Sequence, residues 1–222
     1  HLAVTGRRTV ALAHDHSAVG RGYGDAFTAA CSAVGVDVLM SAPVSPLAQD
    51  VTPVVRRLRA TEPDALCYLG LGVAARAVAL GLEAEQWGVP VVANSALMFG
   101  YGRKDWRAGW EGWVYVDTVS DRNAARQELR ERSARSAAGP IGVAAYDMGR
   151  LLGEAFERAA HLTRDGVREG LEQVKSLPAS SGLPGTLMGF GAWDHGALKG
   201  PYLVLRSWRD GRTVELADQA MA

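Results

Sequence analysis

The segment HDHSAVGRGYG, residues 14–24, follows an apolar run and precedes a helix-like pattern, and it holds the densest set of reactive side chains. Its three glycines could let backbone amides surround a phosphate, and its two histidines could bind a metal ion. The dinucleotide-binding fingerprint needs its first glycine directly after a strand and an acidic residue at the end of the second strand. Here HDHSAV precedes Gly20, and the second apolar run ends in MSAPVSP, so neither condition is met.

Metal binding and nucleophilic catalysis are also weakly indicated. His14 and His16 would share one side of an extended segment, but a catalytic zinc takes three protein ligands, and the later histidines lack ligand spacing. Ser45 and Ser95 are candidate nucleophiles, yet neither lies in a GxSxG elbow. We therefore expect no metal and no cofactor. An α/β hydrolase with a triad recognisable only by geometry stays open as an alternative.

Composition excludes several classes of protein. The 222 residues include 24 Lys plus Arg and 24 Asp plus Glu, so no broad basic field for nucleic acid is present. Hydrophobic residues make up 48%, which favours a folded core over disorder. No apolar run approaches the ~20 residues of a membrane span. Cys31 and Cys67 lack CxxC spacing and are predicted to be buried thiols, with a disulfide between them as the alternative.

The elements that must position these residues alternate between apolar runs and helical periodicity. The apolar runs predict five strands, at 9–15, 36–42, 64–72, 89–95 and 112–119. These strands are apolar throughout, as expected when both faces of a parallel sheet are covered. The sequence therefore predicts a doubly wound α/β fold, in which ligands bind at the carboxyl ends of the strands.

Beyond residue 119 helical patterns dominate, and the chain has little sheet of its own until a predicted hairpin around Asp210-Gly211. The amphipathic pattern over 141–162 has a broad apolar stripe. Because such a stripe drives association, we expect a homodimer or another assembly that covers it.

These segments together resemble the type I periplasmic, or extracytoplasmic, solute-binding proteins, in particular the leucine/isoleucine/valine-binding branch that serves ABC importers. The resemblance is carried, in the family's order, by RRTVALAHDHSAVGRGYGDAFTAACSAVGVDV, SPLAQDVTPVVRRLRATEPDALCYLGLGVAARAVALGLEAEQWGVP, GPIGVAAYDMGRLLGEAFERA and GFGAWDHGALKGPYLVLRSWRDG. It extends from about residue 7 to residue 216 and covers roughly the C-terminal two-thirds of the family pattern. The resemblance leaves open whether the chain is a fragment or the remaining third of the pattern lies outside this sequence.

The resemblance implies two α/β lobes with a small organic solute bound between them, and no catalysis. Residues 7–119 would form lobe two, 120–195 part of a lobe one whose sheet is largely missing, and 196–222 a return to lobe two. An ABC permease would be the partner. The location would be extracytoplasmic, with attachment to the membrane only through a lipid anchor or the permease. A ligand-sensing domain of the same fold is the second alternative.

The resemblance and the strand-end rule together predict the residues that contact the solute. They are Ser17, Val19, Gly20, Leu71, Gly72, Asn94 and Ser95, with Ile141 and Tyr146 added by the resemblance alone. The family's amino-acid binders often carry aromatic residues where this chain has Val19 and Leu71, and an acidic residue where it has Ser95. Without that carboxylate a buried ammonium would lack a charge partner, so an organic acid or a small aromatic compound is expected to fit better than an ordinary α-amino acid.

Overall fold

A computed structural model describes residues 1–133 and 139–216 of the protein. The chain separates into two compact units, His1–Val116 with Leu205–Ala222, and Asp117–Val204. We call them the sheet unit and the helical unit. The sequence predicted boundaries at 119/120 and 195/196, and segments 134–138 and 217–222 of the predicted domains lie outside the described residues. The assignment of the units to two lobes stays a prediction.

The helices and strands of the described residues are as follows. The α-helices are α1 (Ala18–Ala33), α2 (Thr52–Arg59), α3 (Gly72–Ala84), α4 (Lys104–Arg107), α5 (Ala124–Arg132), α6 (Pro140–Arg158) and α7 (Arg164–Gln173). The strands are β1 (Thr9–Asp15), β2 (Asp37–Val44), β3 (Ala65–Leu69), β4 (Val91–Ala93), β5 (Val114–Asp117), β6 (Leu177–Pro178), β7 (Leu187–Met188), β8 (Leu198–Lys199), β9 (Val204–Arg209) and β10 (Arg212–Glu215). Two 3₁₀ helices span Ser95–Tyr101 and Ala108–Trp110.

The main sheet has seven strands in the order β10-β9-β5-β4-β3-β1-β2. The five strands predicted from apolar runs are all present, and β1 to β5 pair in parallel. Strands β9 and β10 form the antiparallel hairpin predicted at Asp210-Gly211. Both turn residues have positive φ, 51° and 67°, as a type I′ turn requires.

Both faces of this sheet are covered by helices, so the prediction of a doubly wound α/β fold is confirmed. One face packs against α2 and α3, through side chains such as Val55, Leu58 and Val78. The other face packs against α1, where Cys31 and Cys67 lie in the core with Val10 and Leu12. Helix α1 begins at Ala18, and the hydroxyl of Ser17, the residue before it, caps the helix.

The two cysteines are free and buried, as the sequence predicted. Burial raises the pKa of both thiols, because the low-dielectric surroundings disfavour the thiolate. Both line an apolar groove of about 330 Å³ on the α1 face, together with Val92, Val114 and Leu205.

The carboxylate of Asp64, just before β3, fixes the start of β1. Its Oδ2 accepts the backbone N–H groups of Arg8 and Thr9, at 2.8 and 3.0 Å. The Thr9 hydroxyl accepts the N–H of Asp64 in return, at 3.0 Å. These hydrogen bonds favour the carboxylate and lower the pKa of Asp64 below its usual value, first through the backbone donor of Arg8.

We therefore expect Asp64→Asn to lower the melting temperature at neutral pH but not at low pH. A depressed folded-state pKa stabilises the protein above the unfolded-state pKa of ~3.9, and this stabilisation is lost as the pH falls through the folded-state value. Thermal melting of both proteins between pH 2.5 and 7 tests this. The exposed Asp25 on α1 provides the control, since Asp25→Asn should leave melting nearly unchanged throughout. A constant difference for Asp64→Asn at every pH would contradict the expectation.

The helical unit is built on α6 and α7, with the antiparallel sheet β6-β7-β8. Helix α6 fixes the segment after β6 because the buried carboxylate of Asp147 accepts the N–H groups of Ser180 and Ser181, at 2.9 and 2.8 Å. Its other side carries exposed apolar side chains, at Ile141, Met148, Leu152 and Phe156. The amphipathic helix is thus present, whereas the expected homodimer stays a prediction. None of the described helices has the length and hydropathy needed to span a bilayer.

Candidate functional site

A cavity of about 310 Å³ lies in the sheet unit, at the carboxyl ends of β1, β3 and β4. Three loops that are far apart in sequence meet there, as expected for an open parallel sheet. The structure brings together six of the seven residues that the sequence predicted within this unit, which are Ser17, Val19, Gly20, Leu71, Asn94 and Ser95. Gly72, the seventh, begins α3 beside them but does not line the cavity. The lining also includes residues that were not among the predicted solute contacts, namely Asp15, Tyr23, Gly70, Ala96, Met98 and Phe99.

The first loop joins β1 to α1 and is held by local hydrogen bonds. Asp15 Oδ1 accepts the backbone N–H of Ser17 at 2.6 Å, and the Ser17 hydroxyl accepts the N–H of Gly20 at 3.2 Å. A Cβ atom at Gly20 would lie 2.0 Å from the carbonyl oxygen of Asp15. The helix therefore starts directly against the end of the strand, and only glycine permits that approach.

The second loop joins β3 to α3, and a hydrogen bond from Tyr68 on β3 holds it in place. The buried Tyr68 hydroxyl donates to the carbonyl oxygen of Leu71 at 2.7 Å. Burial, and to a smaller extent the negative charge of Asp15, raises the pKa of Tyr68 well above its usual value, so the hydroxyl stays protonated at neutral pH. At Gly72 a Cβ would come within 2.5 Å of the Phe99 ring, which packs directly on the first turn of α3.

The third loop follows β4 and forms the apolar side of the cavity. Asn94 Oδ1 accepts the N–H of Ala96 at 3.1 Å and caps the 3₁₀ helix Ser95–Tyr101. This short helix places Met98 and Phe99 on the lining. Val19, Leu71 and Phe99 are exposed large apolar side chains, so the cavity presents apolar surface to solvent.

The polar groups of the cavity can form hydrogen bonds to a ligand. Three hydroxyls and one amide, from Ser17, Tyr23, Ser95 and Asn94, accompany the carboxylate of Asp15. Within residues 1–133 and 139–216, no hydrogen bond joins Ser45 or Ser95 to a histidine, and no three potential metal ligands cluster together. His14, considered above as a metal ligand, directs Nδ1 to the carbonyl oxygen of Asp15 at 2.8 Å.

The two remaining predicted site residues belong to α6 of the helical unit. Ile141 is exposed in its first turn. Tyr146 is half-buried against Val119, Leu129 and Val143, and the Arg150 guanidinium lies 5.7 Å from the centre of its ring. A contact of either residue with a solute stays a prediction.

Comparison with known proteins identifies the family to which the chain belongs. The sequence model of the family described as "Periplasmic binding protein" matches residues 2–212. No curated protein sequence gives a significant match. Many solved structures share the fold, among them an extracellular ligand-binding receptor from Rhodopseudomonas palustris HaA2, with a TM-score of 0.80 and 20% identity over 97% of this chain and 64% of that one.

Two further structures are similar. A leucine-binding protein from Thermotoga maritima has a TM-score of 0.80 and 16% identity, over 97% of this chain and 63% of that one. An ABC transporter substrate-binding protein from Desulfitobacterium hafniense has a TM-score of 0.72 and 19% identity, over 97% of this chain and 62% of that one. The chain thus spans less than two thirds of the length of these structures. The predicted resemblance is confirmed: the chain belongs to the periplasmic binding protein family and has its type I fold.

Proposed function

We propose that this protein is the extracytoplasmic solute-binding component of an ABC importer, and that the cavity at the ends of β1, β3 and β4 holds part of a small organic solute. The observation that carries the proposal is the meeting of three separate loops in one cavity with exposed apolar walls and a few polar groups. This is the usual composition of a small-molecule site. An ABC permease is the proposed partner, and catalysis is not part of the proposal.

The lining suggests how a solute would be held. Val19, Leu71 and Phe99 offer apolar contact, which becomes favourable when a ligand displaces water from it. The hydroxyls of Ser17 and Ser95 and the amide of Asn94 can orient polar atoms of the ligand. Solutes with a compact apolar or aromatic part and one or two polar groups fit this arrangement. The family resemblance adds Ile141 and Tyr146 as proposed contacts from α6.

A thermal-shift screen combined with a blocked cavity tests the proposal. We expect at least one compound among branched-chain amino acids, small carboxylic acids, aromatic acids, alcohols and amines to raise the melting temperature. A ligand at a hundredfold excess over its Kd stabilises a protein by about 2.7 kcal/mol. Leu71→Trp should abolish this effect by filling the cavity.

The matched control is Leu47→Trp, which adds the same bulk to an exposed position between β2 and α2 that does not line the cavity. Ligand stabilisation should persist in that variant. Equal stabilisation of both variants would place binding elsewhere, and no stabilisation by any compound of the screen would contradict the proposed function.

A further inference from the structure

One acidic side chain, Asp15, distinguishes the cavity from the neutral site that the sequence predicted. Asp15 is the last residue of β1, is 5% exposed and lines the cavity. Its Oδ1 accepts the Ser17 N–H, whereas no residue of the described chain donates to its Oδ2. That second oxygen is not fully enclosed by protein atoms. A nearly buried carboxylate therefore keeps one acceptor oxygen available where a solute would bind.

Within the described residues, the side chains of Arg21, His14 and Tyr68 form hydrogen bonds with groups other than the Asp15 carboxylate. Arg21 Nη1 donates to the carbonyl oxygen of His16 at 2.6 Å, and His14 Nδ1 faces the backbone carbonyl of Asp15 rather than its carboxylate. The Tyr68 hydroxyl donates to Leu71. Among the described residues no ion pair reaches Asp15, so its charge is offset only by the Ser17 N–H and the amino end of α1.

From this we infer that Asp15 determines the specificity of the cavity by accepting a hydrogen bond from a protonated amine of the solute. The inference rests on the proposed function. No Lys, Arg or His lines the cavity, and Asp15 is its only acidic residue. A carboxylate with a single donor in a low-dielectric setting gains a charge-assisted hydrogen bond when an ammonium arrives, whereas an anionic solute would be repelled.

The inferred solute class differs from the one expected at the sequence level. The sequence argued against a solute with an amino group, because Ser95 follows β4 at the position where the family's amino-acid binders carry an acidic residue. The structure supplies a carboxylate from the end of β1 instead. The hydroxyls of Ser17 and Ser95 and the Asn94 amide then serve the neutral polar atoms of the same solute.

Calorimetric titration with three probes tests the inference. The probes are 2-phenylethylamine, 2-phenylethanol and phenylacetate, which share a phenyl group and differ in their polar group. Wild-type protein should bind the amine about 10- to 100-fold more tightly than the alcohol, the range expected for a hydrogen bond to a charged group, and should bind the acid least. Asp15→Asn keeps an oxygen that can accept the Ser17 N–H. It should reduce affinity for the amine to about that for the alcohol and leave the alcohol unchanged.

Asp25→Asn is the control for long-range charge, since it removes an exposed carboxylate from α1, and it should change none of the three affinities. Equal losses of amine and alcohol binding in Asp15→Asn would assign Asp15 a purely structural role and overturn the inference. A wild-type protein that does not prefer the amine would overturn it as well, even if Asp15→Asn fails to fold. If 2-phenylethanol or phenylacetate still binds, and Leu71→Trp blocks this binding, the proposed function stands although the inference about Asp15 fails. If no compound of the screen and none of the three probes binds, the proposed function fails as well.

Discussion

Trp208→Ala is expected to lower the unfolding free energy of the sheet unit by about 3–5 kcal/mol, the range for removing a buried aromatic side chain. Trp208 lies on β9 and is 1% exposed. Its ring stacks on Tyr115, with centroids 6.2 Å apart and planes at 12°, and meets Tyr101 edge-on at 5.6 Å. A Cβ atom at Gly100 would lie 2.6 Å from the indole, so the ring also packs on backbone.

The same substitution should weaken solute binding. Tyr101 and Gly100 end the 3₁₀ helix Ser95–Tyr101, which carries Met98 and Phe99 to the cavity. Loss of the indole leaves a void behind this helix, and the third loop then loses the support that positions it. Strand β9 thus stabilises the 3₁₀ helix Ser95–Tyr101, which lies about 100 residues earlier in the chain.

Urea denaturation followed by circular dichroism measures the stability effect, and Trp193→Ala is its control. Trp193 is 99% exposed, so its removal should change the unfolding free energy by no more than about 0.5 kcal/mol. A small, equal change in both variants would show that the Trp208 cluster does not stabilise the sheet.

The sheet and much of the cavity lining could be predicted because both follow from strong, local patterns. Apolar runs separated by helical periodicity predict parallel strands, and parallel strands bring their carboxyl ends to one edge. That rule alone places Ser17, Leu71 and Asn94 in one cavity, although they are separated by tens of residues. The β9–β10 turn was equally predictable, because Asp-Gly is the dipeptide that tolerates positive φ at both positions.

The parts that could not be predicted depend on individual hydrogen bonds. Asp15 resembles any polar residue at a strand end, and its proposed role depends on the Ser17 N–H occupying only one of its two oxygens. Met98 and Phe99 lie within a short 3₁₀ helix capped by Asn94, and this helix is too brief to produce a periodic signal. A family pattern that places an acidic residue near position 95 says nothing about a carboxylate supplied from β1.

Gly20→Ala and Gly22→Ala, the same change two residues apart on α1, are expected to have opposite effects on stability. A Cβ at Gly20 would lie 2.0 Å from the Asp15 carbonyl oxygen and 2.6 Å from Asp15 Cβ. Relief requires the first turn of α1 to move away from β1, and overpacking of this kind costs roughly 1–3 kcal/mol, occasionally more. Around Gly22 nothing lies within 4 Å of such a Cβ, so alanine there should stabilise the helix by about 0.5–1 kcal/mol.

We also expect Gly20→Ala and Gly22→Ala to differ in their affinity for solute. Moving the first turn of α1 displaces Ser17 and breaks its hydrogen bond with the Asp15 carboxylate, so Gly20→Ala should lose affinity for any solute that stabilises the wild-type protein. Gly22→Ala should bind it normally. Urea denaturation and the thermal-shift assay on both variants check these expectations. Stability changes of the same sign, or normal binding by Gly20→Ala, would mean that the first turn of α1 can shift without disturbing the cavity. The glycine at position 20 would then not be required for close approach of the helix to the strand.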